Sequence, residues 1–375
     1  MNNPQQIDWK NKKIAVLGLG VEGIASLEYF QDKGALLWVL DKSQREDLDQ
    51  YLVTRAEATG TQFVLGRDYL QNLTDYNIIM RSPGVKLLTP ELLEAEKSGV
   101  IITSQTKLFF DLCPAQIIGV TGTKGKGTTS SLIYEMLKTA GKDVFLGGNI
   151  GVPPLTFLEK LQSSSWVVLE LSSFQLQDLG KSPADARAMA GKPHIAVMLM
   201  TTSEHLDHHE TVEEYIDAKR NILRFQKSED FAILNRDYPA SNESDIYTDG
   251  KIFLVSRERE TENACFATGG KIIVRKNGSD DIVADTKDIL LPGKHNLENV
   301  CAAVMAAKLA EVGSKHIVTV LQSFTGLEHR LELVRELNGV KYYDDSFSTT
   351  PETAIAAIEA FPNPKILILG GSHKG

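Results

Sequence analysis

The chain has 375 residues, too many for one ordinary domain, and 42% hydrophobic with 24% charged residues gives ample core for two or three. A net charge of −9 argues against a nucleic-acid binder, whose footprint is usually basic. Three scattered cysteines in no metal spacing, no basic and apolar leader in residues 1–6, and no apolar run of the ~18 residues a membrane span needs lead us to expect a soluble cytoplasmic protein with no membrane partner.

Residues 13–17 read as a strand, followed by Gly18-Leu19-Gly20-Val21-Glu22-Gly23 and a helix with Ile24, Leu27 and Phe30 on one face and Gly34 as its C-cap. A second strand, residues 36–40, ends in Asp41. This is a βαβ unit carrying G-x-G-x-x-G with an acid about 20 residues on, whose literal reading is a dinucleotide fold of the Rossmann type. Any nucleotide diphosphate satisfies that fingerprint, a UDP-sugar included. Glu22 inside the loop would repel a close pyrophosphate, which weakens the case for NAD. A plain βα turn is the remaining reading. Residues 77–80 then form a strand leading into the turn Arg81-Ser82-Pro83-Gly84, residues 100–102 another before Ser104, and the segment ends near Cys113-Pro114.

The stretch from Gly119 to Thr129, Gly-Val-Thr-Gly-Thr-Lys-Gly-Lys-Gly-Thr-Thr, follows the apolar Ile117-Ile118 and opens a helix marked by Leu132, Ile133, Met136 and Leu137. Strand, glycine loop, lysine, hydroxyls and helix in that order describe a nucleoside triphosphate site: loop N–H groups face phosphate oxygens and the helix adds its dipole. Lys126 would reach the β/γ-phosphates, and Thr128 or Thr129 would touch Mg²⁺. Counted from Gly119, the loop is one residue longer than the commonest pattern. The alternative is a glycine-rich turn with an incidental lysine.

Residues 166–169 are a buried strand ending in Glu170-Leu171-Ser172-Ser173-Phe174-Gln175, and residues 195–200 another, running into Glu204-His205-Leu206-Asp207-His208-His209. A helix over 212–225 carries Lys219, residues 231–235 form a strand, and residues 271–274 another after the Gly269-Gly270 turn. Residues 291–299 enter an alanine-rich helix. After Gly326-Leu327-Glu328-His329-Arg330 come a strand ending at Asp345-Ser346, a helix from Thr350 (N-cap) and Pro351 to about residue 360, and a strand over 365–369. The few dozen residues after Arg330 fall short of the ~100 of a free-standing α/β domain. We expect the chain to be part of a longer protein, the alternative being a short terminal lobe packed on the middle domain. Glu170, at a strand end near the phosphate loop, is the first Mg²⁺ ligand candidate and His205 the second. An acid near a helix N-terminus is the other reading of Glu170. The histidine cluster lacks the H-E-x-x-H spacing, which argues against zinc.

The Thr-Gly-Thr-x-Gly-Lys loop resembles that of the Mur ligase superfamily, ATP-dependent amide ligases that build peptidoglycan precursors and polyglutamylated folates. Glu170-Leu-Ser-Ser-Phe-Gln-Leu176 is similar to the signature of the branch that adds D-glutamate. Gly147-Gly-Asn-Ile-Gly151, His205-Leu-Asp-His208, Lys219, Gly293-Lys-His-Asn-Leu-Glu-Asn299, Gly326-Leu-Glu-His-Arg330 and Asp345-Ser346 match in order, from about residue 13 to the end.

The resemblance implies an α/β fold of three domains: a Rossmann-like UDP-substrate domain (1–111), a central P-loop ATPase-like domain (112–326) and an incomplete Rossmann-like domain (327–375). It implies that Val21, Glu22, Asp41, Lys42, Ser82 and Gly84 hold the UDP of UDP-N-acetylmuramoyl-L-alanine, and that Asn149 and Ser172 face its muramoyl-alanine. ATP would be held by Thr123, Lys124, Gly125, Lys126, Gly127, Thr128 and Thr129 with Asn296, Arg330 and Asp345. Glu170, His205, Thr128 and a carbamylated Lys219 would bind Mg²⁺, with Lys126, His205 and Lys219 catalytic. The enzyme would act as a monomer on small molecules, through an acyl phosphate that the amine of D-glutamate attacks. Two positions depart from the family pattern: Gly127 stands where Ser or Thr usually follows the lysine, and Phe347 where a lysine usually follows Asp345 by two residues. An NAD-dependent oxidoreductase with a fused P-loop domain and a non-catalytic UDP-muramoyl binder are the competing readings.

Overall fold

The computed structural model describes residues 8–86, 88–180, 192–202, 209, 211–348 and 351–370. The first unit comprises β1 (Lys13–Leu17), α1 (Val21–Gln31), β2 (Leu36–Asp41), α2 (Gln50–Ala58), β3 (Gln62–Leu65), β4 (Ile78–Arg81), α3 (Pro90–Lys97) and β5 (Ile101–Thr103). Its strands form a wholly parallel sheet in the order β3-β2-β1-β4-β5. Ile14, Ala15, Val16 and Leu17 are all buried, as an unbroken apolar strand must be when helices cover both faces. The strand order reverses beside β1, so the carbonyl ends of β1 and β4 flank the crevice where α/β sheets take ligands. Helix α1 buries Ile24, Leu27 and Phe30 as its spacing requires, but it closes at Asp32, and Gly34 (φ +73°) belongs to the turn beyond.

Helix α4 (Gln105–Leu112), capped by the Ser104 hydroxyl accepting from Lys107 N, leads into the second unit. There follow β6 (Gln116–Thr121), α5 (Lys126–Thr139), β7 (Val144–Gly148), β8 (Trp166–Glu170), α6 (Ser173–Gln177), β9 (Ile195–Met198), α7 (Val212–Arg220), β10 (Phe231–Asn235) and α8 (Pro239–Asn242). Then come β11 (Lys251–Ser256), β12 (Ala264–Thr268), β13 (Lys271–Lys276), β14 (Ser279–Asp285), α9 (Asn296–Leu309) and α10 (Ser314–Leu321). The nine-stranded sheet runs β14-β13-β12-β11-β10-β9-β6-β8-β7, parallel from β7 to β12 and antiparallel at β12-β13-β14. Ala302, Ala303, Ala306 and Ala307 are fully buried in α9, whose small side chains let it pack closely against α5 and the sheet. The helix expected to reach residue 225 stops at Arg220. Ile222 N and Leu223 N bond three residues back, to Lys219 O and Arg220 O, which tightens the chain out of the α-helix.

The last unit holds the antiparallel hairpin β15 (Glu332–Leu337) and β16 (Val340–Asp344), then α11 (Pro351–Glu359). Asn338-Gly339 joins the hairpin with both φ angles positive, as a two-residue primed turn demands. The N-cap expected at Thr350 lies outside the described residues. The strand expected over residues 365–369 does not form: Ile366 and Ile368 are 95% and 96% exposed, and no ladder partner stands beside them among the described residues. An apolar run becomes a strand only when a neighbour takes its N–H and C=O groups. Among the described residues no helix is long and apolar enough to cross a membrane.

The turn after β7 shows how tightly strand ends meet at the centre of the second unit. A Cβ on Gly148 (φ +99°) would lie 2.2 Å from the Glu170 carbonyl oxygen, which already accepts Asn149 N at 2.9 Å. Gly148→Ala is expected to lower the unfolding free energy by about 3 kcal/mol, from strain and a backbone collision together. Gly141→Ala, at φ +76° in open space, should cost only about 1 kcal/mol. Equal losses for the two in urea unfolding would contradict this account.

Candidate functional site

Strand β6 extends through Thr121, so Gly119 belongs to the sheet and the phosphate-type loop is only Gly122 to Gly125. The extra residue counted from Gly119 is therefore strand and not loop. Thr121 Oγ1 donates to Leu171 O at 2.9 Å, fastening the loop's base to the end of β8. Gly125 (φ +86°) precedes α5, and a Cβ there would meet Asn299 Oδ1 at 2.1 Å, so the close approach of α9 requires glycine. Lys126 Nζ donates to Gly122 O and Thr123 O, both at 3.0 Å. Lys219, on α7 and 1% exposed, donates to the same Gly122 O at 2.9 Å and lies 4.5 Å over the Tyr215 ring. Thr123 Oγ1 accepts from Thr202 N and donates to Thr202 O, each at 3.0 Å, with the Tyr215 hydroxyl also at 3.0 Å.

Glu170 is buried at the end of β8. Its Oε1 accepts from Asn149 Nδ2 at 3.1 Å, while Oε2 is buried with no hydrogen-bond partner among the described residues. A buried carboxylate oxygen without a donor is costly unless a cation answers it, and hard divalent cations prefer such oxygens. Nothing on Gly127 covers that oxygen: a Cβ there would sit 3.3 Å from Glu170 Oε2 and 3.1 Å from Leu327 Cδ1. On α5, Thr129 Oγ1 and Ser130 Oγ are likewise buried and unpartnered. His205, expected as a metal ligand, lies outside the described residues, as do Glu204, Asp207 and His208. His209 is described and packs on α6, its Nε2 3.0 Å from Ser173 Oγ and its ring stacked on Phe174.

A cleft of about 640 Å³ opens beside the loop, and Lys124, Gly125, Thr128, Asn296, Arg330 and Asp345 all line it. Three of these come from the glycine loop and its helix and three from later motifs; the fold brings them to one cavity. Asn296 is set by donating Nδ2 to Pro292 O at 2.7 Å and accepting Asn299 Nδ2 at 2.9 Å, and Asp345 Oδ1 accepts Leu331 N at 3.0 Å. The sequence reading missed Tyr238, Arg257, His295, Glu298 and Asn299, which share the lining. Burial pushes the Glu298 carboxyl above the usual range, although Asn235 Nδ2 (3.2 Å) and Tyr238 OH (3.3 Å) donate to it. Burial, then the Arg257 and Arg330 charges, pushes His295 down. His295, Glu298 and Asn299 lie inside the Gly293–Asn299 motif, from which only Asn296 was singled out; Arg257 carried no local signal.

In the crevice of the first sheet, Asp41 accepts Leu19 N on Oδ2 and Ser43 N on Oδ1, each at 2.9 Å, and so braces the glycine turn. Ser82 Oγ donates to Gly18 O at 3.1 Å, drawing the second turn against the first. Val21, Lys42 and Gly84 are exposed around this crevice. Glu22 points elsewhere: its Oε1 accepts Gln175 Nε2 at 2.6 Å and its carbonyl accepts Gln105 Nε2 at 3.0 Å. Burial raises its carboxyl above the usual range. The expected repulsion of a pyrophosphate by Glu22 therefore does not follow. Ser172 caps α6 in a capping box with Gln175, its Oγ accepting Gln175 N at 3.3 Å. Phe347, exposed, faces the ring of His329 at 6.0 Å.

Residues 120–307 match the Mur ligase middle domain, and residues 12–104 the N-terminal domain of MurD-like Mur ligases. Curated relatives include the UDP-N-acetylmuramoylalanine--D-glutamate ligases of Acetivibrio thermocellus, 40% identical over 97% of this chain and 76% of its own length, and of Symbiobacterium thermophilum, 39% identical over 97% and 78%. Among solved structures, UDP-N-acetylmuramate:L-alanyl-gamma-D-glutamyl-meso-diaminopimelate ligase from Neisseria meningitides superposes with a TM-score of 0.57 at 19% identity, covering 85% of this chain and 99% of its own. MurF from Acinetobacter baumannii gives 0.55 at 19% identity over 86% and 67%. These two share the fold. With two domain matches and relatives near 40% identity along almost its whole length, the chain belongs to the Mur ligase family.

Proposed function

We propose that the chain joins D-glutamate to UDP-N-acetylmuramoyl-L-alanine in peptidoglycan precursor synthesis, using ATP. The observation that carries this is the 40% identity over 97% of the chain with a ligase of that name. The convergence of Lys126, Lys219 and Glu170 around one glycine loop supports it in chemical terms. The domains are assigned as residues 1–111 for the UDP substrate, 112–326 for ATP and 327–375 for the amino acid. Val21, Asp41, Lys42, Ser82 and Gly84 are assigned to UDP, with Glu22 through its main chain since its carboxylate accepts Gln175, and Asn149 and Ser172 to the muramoyl-alanine. The loop from Thr123 to Thr129 is assigned to the phosphates, with Asn296, Arg330 and Asp345 across the cleft. The protein is proposed to work as a cytoplasmic monomer on these small molecules.

The γ-phosphoryl group passes to the terminal carboxylate of the substrate, releasing ADP and leaving an acyl phosphate. The D-glutamate nitrogen then forms the new C–N bond as the C–O bond to phosphate breaks and the nitrogen gives up a proton. A free carboxylate does not react this way, because oxide is a poor leaving group and phosphate a good one. Lys126 stabilises charge spread over the transferring oxygens once it turns from Gly122 O and Thr123 O to the phosphates. Glu170 suits Mg²⁺ because its Oε2 is buried without a donor, with Thr128 and a carbamylated Lys219 as further assigned oxygen ligands; the ion supplies charge neutralisation at the phosphates.

Phosphate release from Mg·ATP is expected only with both UDP-N-acetylmuramoyl-L-alanine and D-glutamate present, and Lys126→Ala should reduce it about 100-fold or more. Release indifferent to either substrate would overturn the assignment. Carbamylation of Lys219 is expected to make activity fall in CO₂-depleted buffer and return with bicarbonate. A ¹³C carbamate resonance should appear in the parent protein and vanish in Lys219→Arg; its absence from the parent protein would refute the modification.

A further inference from the structure

Arg81 ends β4 immediately before the Ser82-Pro83-Gly84 turn, and its side chain is wholly buried. Its Nη2 and Nε donate to Asp178 Oδ1 at 2.7 and 3.2 Å. Its Nη1 donates to Ser82 O at 3.4 Å and to Val85 O. One planar guanidinium thus closes the turn at the crevice of the first sheet and binds that turn to the second unit. Asp178 follows α6 directly, the helix that Ser172 caps. A second tie runs alongside, from Gln175 Nε2 on α6 to Glu22 Oε1 on α1. Gln105 Nε2, at the start of α4, holds the Glu22 carbonyl.

This cluster joins the two places assigned to opposite ends of one extended ligand. The Ser82 turn lies at the UDP end, and the Ser172 cap at the muramoyl-alanine end. Asp178 is 5% exposed and its Oδ2 has no partner among the described residues, so the guanidinium is the group that answers its charge there. A buried pair of this kind is poor evidence of added stability, because desolvation offsets its attraction. Its geometric content is greater: two N–H groups of one planar guanidinium meet at Asp178 Oδ1 while a third holds the turn, which ties the position of the turn to that of Asp178.

We propose that Arg81 and Asp178 are positioning residues, a buried ion pair that fixes the span between the UDP turn and the Ser172 end of α6. The acceptor carboxylate then arrives in register with the glycine loop. The inference rests on the functional reading above. Misplacement by about an ångström is enough to weaken a bound contact or slow a reaction severely.

The test is calorimetric titration of the full chain with UDP and with UDP-N-acetylmuramoyl-L-alanine. The ratio of the two affinities is the readout, since general damage to the fold lowers both alike. Arg81→Met/Asp178→Asn removes both charges with similar volume and avoids an orphaned ion. It is expected to cut the advantage of the whole ligand over UDP about tenfold. Arg81→Lys keeps the charge opposite Asp178 but cannot serve two carbonyls as well, and should give an intermediate loss; it decides the matter if the double variant does not fold. An unchanged ratio in the folded variants would overturn the proposal. Failure of the parent protein to bind the whole ligand would instead remove the functional reading.

Discussion

Two lysine ammonium groups meet at one backbone carbonyl, Gly122 O, with Lys126 at 3.0 Å and Lys219 at 2.9 Å. Like charges brought so close repel unless anions offset them, and the repulsion is screened least where water is excluded. The fold nevertheless forces the meeting. Strands β8, β6 and β9 are neighbours in a parallel sheet, so their carbonyl ends all open on one side. The loop after β6 is pinned there by Thr123 N to Met200 O and by Thr121 Oγ1 to Leu171 O. The phosphates of a nucleotide, or a carbamate formed on Lys219, would each bring negative charge beside Lys126.

The cleft is completed by elements on two units. Lys124, Gly125 and Thr128 come from the loop and α5, whereas Arg330 and Asp345 follow the point where the chain leaves the nine-stranded sheet. Asp345 Oδ1 accepts Leu331 N, and Arg330 N donates to Leu327 O, so the carboxylate is tied to the segment that carries Arg330. A nucleotide lying in the cleft would touch both sides and draw the hairpin unit toward the loop. The first sheet is joined to the second differently, through side-chain hydrogen bonds that Gln175 donates to Glu22 and Arg81 donates to Asp178.

The parts legible in the sequence are those written in local periodicity. Residues 231–235 read as a strand and are one, and Glu170 falls at the end of a buried run as its neighbours implied. The glycine loop, its lysine and the helix behind it were equally plain, apart from Gly119, whose place in the strand depends on pairing with β8 and β9. What spacing cannot show is which distant groups meet. Lys219 finds Gly122, and Arg81 finds Asp178, each across 97 residues. Arg81 read only as the residue before a turn, and Glu22 only as an acid near a phosphate. Residues 365–369 failed for a related reason, since an apolar run says nothing of a partner for its backbone.

Gly127 is the departure in which packing and chemistry bear on each other. Its missing Cβ would press on Leu327 Cδ1 at 3.1 Å and Glu170 Oε2 at 3.3 Å, so any side chain there would have to displace one of them. Leu327 follows Gly326 (φ +118°), in the segment that leads from the second unit to the hairpin. A side chain at this place would need the Leu327 methyl to give by a few tenths of an ångström. Thr128, one residue further, is turned about 100° around the helix and lines the cleft beside the loop. Glu170 Oε2 and the Thr128 hydroxyl would remain as oxygen donors for the proposed ion. Mg²⁺ ordinarily keeps several waters, so such a site would not require a protein oxygen from position 127.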